Sequence, residues 1–430
     1  MALLSFLILG SLILLGIPIA FVLGITGFMG LGLEAGWQIA LSQLKTICFS
    51  VTNDYILSVI PMFVLMGNFA ASGGLSADIF DCAKKWLGRT SGGVAIATCL
   101  SCSAFGAVTG STMASASLFT NVAMPEMLKL GYDKRLASGC IVSAGSLACL
   151  IPPSLLIIFY ALIVGAPIGK LLIGGIVPGV LSALLYSVGI YLLCRKFTSL
   201  SGLSVEKAGF KERIRSIKGL WIIFLIFLVV IGGIYFGWFT PTEAGAVGAL
   251  STFLVGIINR KLDFKSFKNA VVSAGVLSCA IGIIIVFGNL FSFYLTIDGF
   301  VESVPAFVSS LEVPDVLVLI SLLVMYLFLG CLIDPPSMII VTMPIVYPIA
   351  ERLNYDPIWF GIIIVMMCEI AVKTPPLGMN LYAVKLAAGD ELDMMSIIKG
   401  TLFFICIDII VICLLILFPK LVTFLPNLVT

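Results

Sequence analysis

The chain has 430 residues, of which 60% are hydrophobic and 11% charged, with a net charge of +2 and a mean hydropathy of +1.20. A soluble protein of this length exposes more polar surface than such a composition supplies, and the balanced charge gives no basis for binding nucleic acid. The absence of histidine excludes most zinc, copper and haem sites and every catalytic pair with an imidazole base. We therefore predict an all-α polytopic membrane protein.

Apolar segments of about 20 residues, long enough to cross a bilayer core, recur along the chain. The first lacks a preceding charged region and is too long for a cleaved signal, so we interpret it as a span. Between the first two segments, Trp37 and Lys45 lie among apolar residues at 34–54, which favours an interfacial amphipathic helix. The predicted full spans are 2–33, 55–75, 136–165, 168–196, 219–238, 242–260, 271–296, 357–388 and 397–425.

Two further apolar stretches, 91–128 and 313–350, are interrupted by polar and small residues. Both flanks of the first stretch are basic, and neither flank of the second has a basic excess. Because basic loops stay in the cytoplasm, each stretch begins and ends on one side of the membrane. Two complete spans would also achieve this, but the polar breaks favour re-entrant helical hairpins whose tips lie against protein or water.

The twelve cysteines lie mostly inside apolar segments, which is typical of small residues that pack helices together. Cys99 and Cys102 form a CxxC pair, for which a redox role is the alternative interpretation.

The segment Arg195–Lys218 carries seven Lys or Arg against two Glu, which predicts a cytoplasmic loop between two halves of the chain. Threading the spans and hairpins places the N-terminus in the cytoplasm and the C-terminus outside. The predicted regions are an N-terminal scaffold with the interfacial helix (1–75), a first repeat (76–196) with a hairpin (91–128) and a broken helix (136–165), a loop (197–218), scaffold spans (219–296), and a second repeat (297–425) with a hairpin (313–350) and a broken helix (357–388).

The two halves share short motifs at a nearly constant offset. Matching pairs at an offset of 223 residues are Pro125 and Pro348, Tyr132-Asp133 and Tyr355-Asp356, Ile141-Val142 and Ile364-Val365, and Pro152-Pro153 and Pro375-Pro376; Gly67-Asn68 matches Gly288-Asn289 at 221. Since the predicted topology makes the two copies antiparallel, they form the inverted repeat that is typical of secondary transporters. Duplication of an inert scaffold is the alternative.

The repeated Pro-Pro pairs fall in mid-span, where proline removes a backbone donor and frees carbonyl groups. Carbonyl and hydroxyl oxygens there suit a hard cation such as sodium, whereas a simple proline kink would hold none. The candidate sodium-binding residues, at the hairpin tips and the breaks, are Ser103, Gly106, Thr109, Ser111, Ser143, Gly145, Pro152, Gly330, Asp334, Thr374 and Gly378.

A helix that starts at each hairpin tip would direct its N–H groups and positive dipole end at an anion. The candidate anion-binding residues are Thr112, Ser337, Lys373 and Asn380. Lys373 has two interpretations, because it can pair with Glu369 one turn earlier or face a cavity and bind a substrate carboxylate. Asp334 is either a cation ligand or a helix cap, and Asp408 in the last span has no assigned role.

The residues Thr240-Pro241-Thr242-Glu243 form a capping box, which predicts the start of a scaffold helix.

Four segments, Gly110–Pro125, Ile151–Pro153, Thr240–Val247 and Glu369–Asn380, resemble the large M subunit of the tripartite ATP-independent periplasmic (TRAP) transporters. The resemblance covers nearly the whole chain. It implies an elevator-type protein of the bacterial inner membrane that imports an organic acid, such as sialic acid or a C4-dicarboxylate, with sodium as coupling ion and no other cofactor. It also implies a separate small Q subunit and a soluble periplasmic binding protein. Lys373 departs from the family pattern, in which an apolar residue is usual.

Three other functions are weighed. A stand-alone ion-coupled anion transporter of similar architecture would work without a binding protein. An intramembrane enzyme would need a nucleophile with a base or a cluster of metal ligands, and the broken helices contain neither. A purely structural subunit would leave the hairpin tips and the Pro-Pro breaks unexplained.

Overall fold

The computed structural model describes residues 2–203, 209–330, 333–376 and 378–428, and the regular elements in these ranges are helical. The first half contains α1 (Ala2–Leu14), α2 (Ile19–Glu34), α3 (Trp37–Thr52), α4 (Val59–Ser72), α5 (Leu75–Leu87), α6 (Gly93–Thr109), α7 (Thr112–Lys129), α8 (Lys134–Ser146), α9 (Leu155–Val164), α10 (Ile168–Gly174) and α11 (Ile176–Lys196).

The second half contains α12 (Phe210–Tyr235), α13 (Pro241–Ile258), α14 (Phe264–Ile297), α15 (Phe300–Ser310), α16 (Asp315–Leu329), α17 (Pro335–Arg352), α18 (Pro357–Ala371), α19 (Met379–Ala388), α20 (Met394–Leu417) and α21 (Lys420–Asn427). Five helical segments of the described chain are long and apolar enough to cross a membrane: Tyr55–Ser72, Ile168–Lys196, Pro241–Ile258, Phe264–Ile297 and Met394–Leu417. Part of the predicted loop 197–218 lies outside the described residues.

Three predicted spans contain a break that the sequence interpretation did not include, although Ile168–Lys196 and Met394–Leu417 remain long and apolar enough to cross a membrane. The segment 2–33 is two helices separated at Gly16–Pro18, and 397–425 is two helices separated at Phe418–Pro419. Both breaks contain a proline, which disfavours helical backbone at the residue before it. The segment 168–196 is interrupted at Gly175, where an added Cβ would lie 2.4 Å from the Leu150 carbonyl oxygen. The helices α5 and α15 were not predicted.

Two local predictions are confirmed. The segment 34–54 contains a helix, α3, although nothing in the structure tests whether it lies at a membrane surface. The capping box at Thr240 is present: the Glu243 amide donates to Thr240 Oγ1 at 3.3 Å, and the Thr240 amide donates to Glu243 Oε2 at 2.8 Å.

The helices pack into two groups. In the first, which we call the outer group, α2 and α4 pack on α14, and α13 packs on α4 and α12. In the second, which we call the core group, the two halves of the chain interlock: α8 packs on α20, α7 on α19, and α9 on α17. The two groups meet where α5 and α4 contact α6, and where α14 and α15 contact α17.

The tightest helix crossing in the core group joins α8 to α20 through glycines. An added Cβ on Gly400 would lie 1.9 Å from the Arg135 carbonyl oxygen, and one on Gly139 would lie 2.3 Å from Gly400 backbone atoms. We expect Gly400→Ala to force the helices apart and destabilise the protein by about 1–3 kcal/mol. The measurement is the melting temperature in detergent, and Gly275→Ala on α14 is the control, because nothing lies within 4 Å of its added methyl.

Candidate functional site

Each predicted hairpin is a pair of helices joined at the predicted tip. The helices α6 and α7 are joined by Gly110 and Ser111, and Gly110 has the positive φ of 62° that favours glycine. In the second pair, α16 ends with its C-cap at Gly330 and α17 begins with its N-cap at Asp334. In both, a side chain caps the second helix: the Ala114 amide donates to Ser111 Oγ at 3.4 Å, and the Ser337 amide donates to Asp334 Oδ2 at 3.2 Å.

Both predicted breaks are present at the Pro-Pro pairs. The chain leaves α8 through a short 3₁₀ turn, passes Pro152-Pro153 and starts α9 at Leu155; in the second copy it leaves α18 at Ala371 and starts α19 at Met379. Both Pro-Pro peptide bonds are cis. Residues at the second break satisfy some of its backbone carbonyl groups. The backbone amide of Asn380 donates to the Val372 carbonyl at 2.9 Å, and Thr374 Oγ1 donates to the Ile370 carbonyl at 2.7 Å.

The hairpin tips lie directly against the breaks. An added Cβ on Gly110 would lie 3.0 Å from the Pro153 carbonyl oxygen, and one on Gly106 would lie 2.8 Å from the Ala148 Cβ. In the second half, an added Cβ on Gly330 would lie 2.0 Å from the Ala371 Cβ. Since α7 also packs on α19 and α17 on α9, the four elements that the sequence singled out converge in one region of the core group.

Three predicted site residues have fully buried side chains with atoms that lack a hydrogen-bond partner among the described residues. These atoms are Ser143 Oγ, Ser337 Oγ, and both Asn380 Oδ1 and Nδ2. A buried polar atom without a partner costs free energy comparable to a lost hydrogen bond, so such atoms mark places where a ligand or water completes the site. They lie on α8, α17 and α19, next to a tip or a break.

Other predicted site residues have different environments. Ser103 Oγ donates to the Cys99 carbonyl at 2.8 Å, and Thr109 Oγ1 lies 3.1 Å from Ser115 Oγ. Gly145 permits close contact with Ala116, while Pro152 is buried. The remaining positions are helix ends: Thr112 is the first residue of α7, and Gly378 precedes α19.

Lys373 is fully buried and is held by oxygen atoms from four helices. Its Nζ donates to Tyr186 OH at 2.8 Å, to Ser146 Oγ at 3.0 Å and to Glu369 Oε1 at 3.1 Å, and lies 2.6 Å from Asp408 Oδ2. Tyr186 also hydrogen-bonds Asp408, and Ser146 lies 3.1 Å from Glu369 Oε1. We call these five residues the lysine cluster. Of the two interpretations of Lys373, the structure shows the ion pair with Glu369, because the ammonium is enclosed by protein.

The lysine cluster contains two pairs of residues at, or within one residue of, the repeat offset of 223. Ser146 and Glu369 are 223 residues apart, and Tyr186 and Asp408 are 222 residues apart. Each of these pairs is in hydrogen-bond contact, so the cluster lies where the two repeats meet. The sequence analysis had no role for Asp408 and did not single out Tyr186, and the repeat offset of 223 pairs Tyr186 with Ile409.

The outer group touches the two hairpins at positions that are not equivalent. Gly67 on α4 faces the tip of the first hairpin, since its added Cβ would lie 2.8 Å from the Thr109 Cα. Gly288, its counterpart on α14, faces Ile340 on α17, whose Cβ lies 3.7 Å from the added atom. Ile340 lies 231 residues after Thr109, eight more than the repeat offset of 223.

Comparisons with known proteins agree with this architecture. The chain is 33% identical over 382 residues to the C4-dicarboxylate TRAP transporter large permease protein DctM of Pseudomonas aeruginosa, which covers 88% of each chain. It is 31% identical over 426 residues to the ectoine TRAP transporter large permease protein TeaC of Halomonas elongata, with 97% of each chain covered. The sialic acid TRAP transporter large permease protein SiaM of Vibrio cholerae is 26% identical over 421 residues, which covers 97% of this chain and 96% of that protein.

The crystal structure of the Alcanivorax borkumensis YdaH transporter is similar in fold, with a TM-score of 0.60 over 90% of both chains at 15% identity. A family model for the DctM component of tripartite ATP-independent periplasmic transporters matches residues 6–421. The relatives are permease proteins and not enzymes. The chain belongs to the DctM family, the large membrane component of the tripartite ATP-independent periplasmic transporters.

Proposed function

We propose that this chain is a sodium-coupled permease subunit that imports a small organic acid anion delivered by a periplasmic binding protein. The observation that carries the proposal is the meeting of two helix breaks and two hairpin tips, with buried polar atoms on Ser143, Ser337 and Asn380 that have no hydrogen-bond partner in the described part of the chain. Interrupted helices that place free backbone and side-chain groups in mid-membrane are the usual construction of ion and substrate sites in secondary transporters.

Sodium suits this region because the available groups are neutral oxygens. Serine hydroxyls, the Asn380 amide oxygen and carbonyl groups freed by the Pro-Pro pairs can replace the hydration shell of a hard cation. Asp334 caps α17, which leaves its role as a cation ligand a prediction.

An organic acid is supported by the helix ends at the tips and by the relatives. The helices α7 and α17 start at the tips, so the N–H groups of their first turns, near Thr112 in α7, favour an anion, while the Ser337 hydroxyl is proposed as a sodium ligand. C4-dicarboxylate and sialic acid, named for two relatives, both carry carboxylate groups. Lys373 is left out of the anion site because its ammonium already contacts two carboxylates.

The unequal contacts of Gly67 and Gly288 support an elevator mechanism. If the core group moves as a unit against the outer group, then at the midpoint of the movement Gly67 and Gly288 would contact equivalent residues of the two hairpins. The predicted re-entrant hairpins would move with the core group.

The partners follow from membership of a tripartite family. We propose a separate small Q membrane subunit, which adds to the outer group, and a soluble binding protein that delivers the acid from the periplasm. A stand-alone transporter would instead take up free substrate without either partner.

Substitutions of the unpartnered residues test the sodium site. We expect Asn380→Ala and Ser337→Ala each to raise the sodium concentration for half-maximal uptake at least about tenfold, because a hydrogen bond or ligand contact to a charge contributes roughly 1.5–3 kcal/mol. Sodium titration of uptake in proteoliposomes measures this. The control is Ser251→Ala on α13, whose hydroxyl donates within its own helix to the Val247 carbonyl at 2.7 Å. An unchanged sodium dependence in both variants would place the cation elsewhere.

A further inference from the structure

The lysine cluster contains more negative than positive charge. The contacts of Glu369 and Asp408 include one cation, Lys373, and all three side chains are fully buried. With every group ionised, the cluster would therefore carry a charge of −1 inside the core group. An uncompensated buried charge is strongly unfavourable, so one additional positive charge is needed in this state.

The geometry favours a proton over a metal ion as that charge. The centre of the oxygen cage is already filled by Lys373 Nζ, which has four oxygen atoms between 2.6 and 3.1 Å away. Glu369 Oε2 is buried and has no hydrogen-bond partner among the described residues. A single free carboxylate oxygen can bind a proton, whereas a sodium ion needs several oxygen ligands.

Three further helices bring groups into contact with Lys373. The helix α8 brings Ser146, α11 brings the Tyr186 hydroxyl and α20 brings Asp408. The further titratable groups within electrostatic reach are the thiols of Cys149, from the turn after α8, and Cys99, from α6. The two carboxylates contact one ammonium, and like-charged neighbours in one buried site favour sharing a single proton.

The position of the cluster links it to transport. It lies where the repeats meet, which in an inverted repeat is near the middle of the membrane. Lys373 also directly precedes the break at Pro375-Pro376, so it adjoins the region of the proposed sodium and anion sites.

We propose that the lysine cluster binds one exchangeable proton on its two carboxylates and that this proton crosses the membrane with the substrate. The second part rests on the proposed transport function, and the first part does not. An O–H bond forms on one of the two carboxylates with a proton taken from water on one side and breaks when the proton leaves to water on the other. Reciprocal coupling requires that the proton and the substrate each change the affinity for the other by the same factor.

Infrared spectroscopy of the purified full chain tests proton binding without any transport. We expect a carboxylic-acid C=O band at neutral pH in the wild type. Either Glu369→Gln or Asp408→Asn should remove it, because the remaining carboxylate then pairs with Lys373. Glu302→Gln, at an exposed position, should leave the band unchanged. Absence of the band from the wild type, or its persistence in both cluster variants, would overturn the proposal; the wild-type result decides even if neither variant folds.

Proton movement during uptake tests the transport step. In proteoliposomes that contain a pH-sensitive dye, we expect substrate uptake by the wild type to acidify the lumen. In Glu369→Gln, the number of protons moved per substrate should fall at least about tenfold. Substrate uptake without proton movement would contradict the transported proton. Failure of the wild type to take up any substrate would instead count against the proposed function, while the infrared result would still decide whether the proton binds.

Discussion

A disulfide between α14 and α17 should stop transport. The added Cβ of Gly288 lies 3.7 Å from the Ile340 Cβ, which is within the usual Cβ separation of about 3.5–4.5 Å for a disulfide. We therefore expect the variant Gly288→Cys/Ile340→Cys to cross-link under mild oxidation. Because the bond would hold the core group in its present register against the outer group, uptake should fall to background and recover when the disulfide is reduced.

Two controls make the cross-link informative. Gly288→Cys and Ile340→Cys alone should be insensitive to oxidation, and mass spectrometry of peptides should identify the new bond against the twelve native cysteines. If the doubly substituted protein were fully cross-linked and still transported at the rate of its reduced form, α14 and α17 would not move past each other. The elevator mechanism proposed for this chain would then be wrong.

Replacing Lys373 should be the most destabilising single change in the core group. Lys373→Met leaves Glu369 and Asp408 buried together without their cation. Breaking a buried ion pair by removing one partner costs about 3–5 kcal/mol, because the remaining charge is uncompensated. We expect poor expression and a large fall in the melting temperature in detergent.

Removing the charges together provides the matched control. In Lys373→Met/Glu369→Gln/Asp408→Asn the cluster has no net charge and similar volume, so we expect most of the lost stability to return. Glu369→Gln alone should also be tolerated, since Lys373 and Asp408 then balance each other. A Lys373→Met protein as stable as the wild type would show that the buried carboxylates do not depend on the ammonium.

The sequence predicted elements whose signals are local. The tips at Gly110 and Asp334 and the breaks at the two Pro-Pro pairs were located because glycine, proline and capping residues act on the backbone within one turn. The same signals were present at Pro18 and Pro419, where hydropathy outweighed them and the breaks were not predicted. Average hydropathy does not register a break of two or three residues inside an apolar segment.

Local sequence patterns could not predict the lysine cluster, because its members come from four helices. Glu369 and Lys373 were paired by their spacing of four residues, but the contact between Lys373 and Asp408 depends on how α18 packs beside α20. The repeat offset of 223 relates Ser146 to Glu369, but it pairs Tyr186 with Ile409 and so does not point to Asp408. The unpartnered side chains of Ser337 and Asn380 likewise became recognisable only when their burial was known.

The most direct test of the central claim is uptake of radiolabelled organic acids, sialic acid and succinate first, into proteoliposomes that contain this chain and a Q subunit. An inward sodium gradient and the binding protein are each supplied or omitted. We predict that uptake requires both the gradient and the binding protein. Uptake of free substrate at the same rate without the binding protein, or without a sodium gradient, would contradict the proposed function.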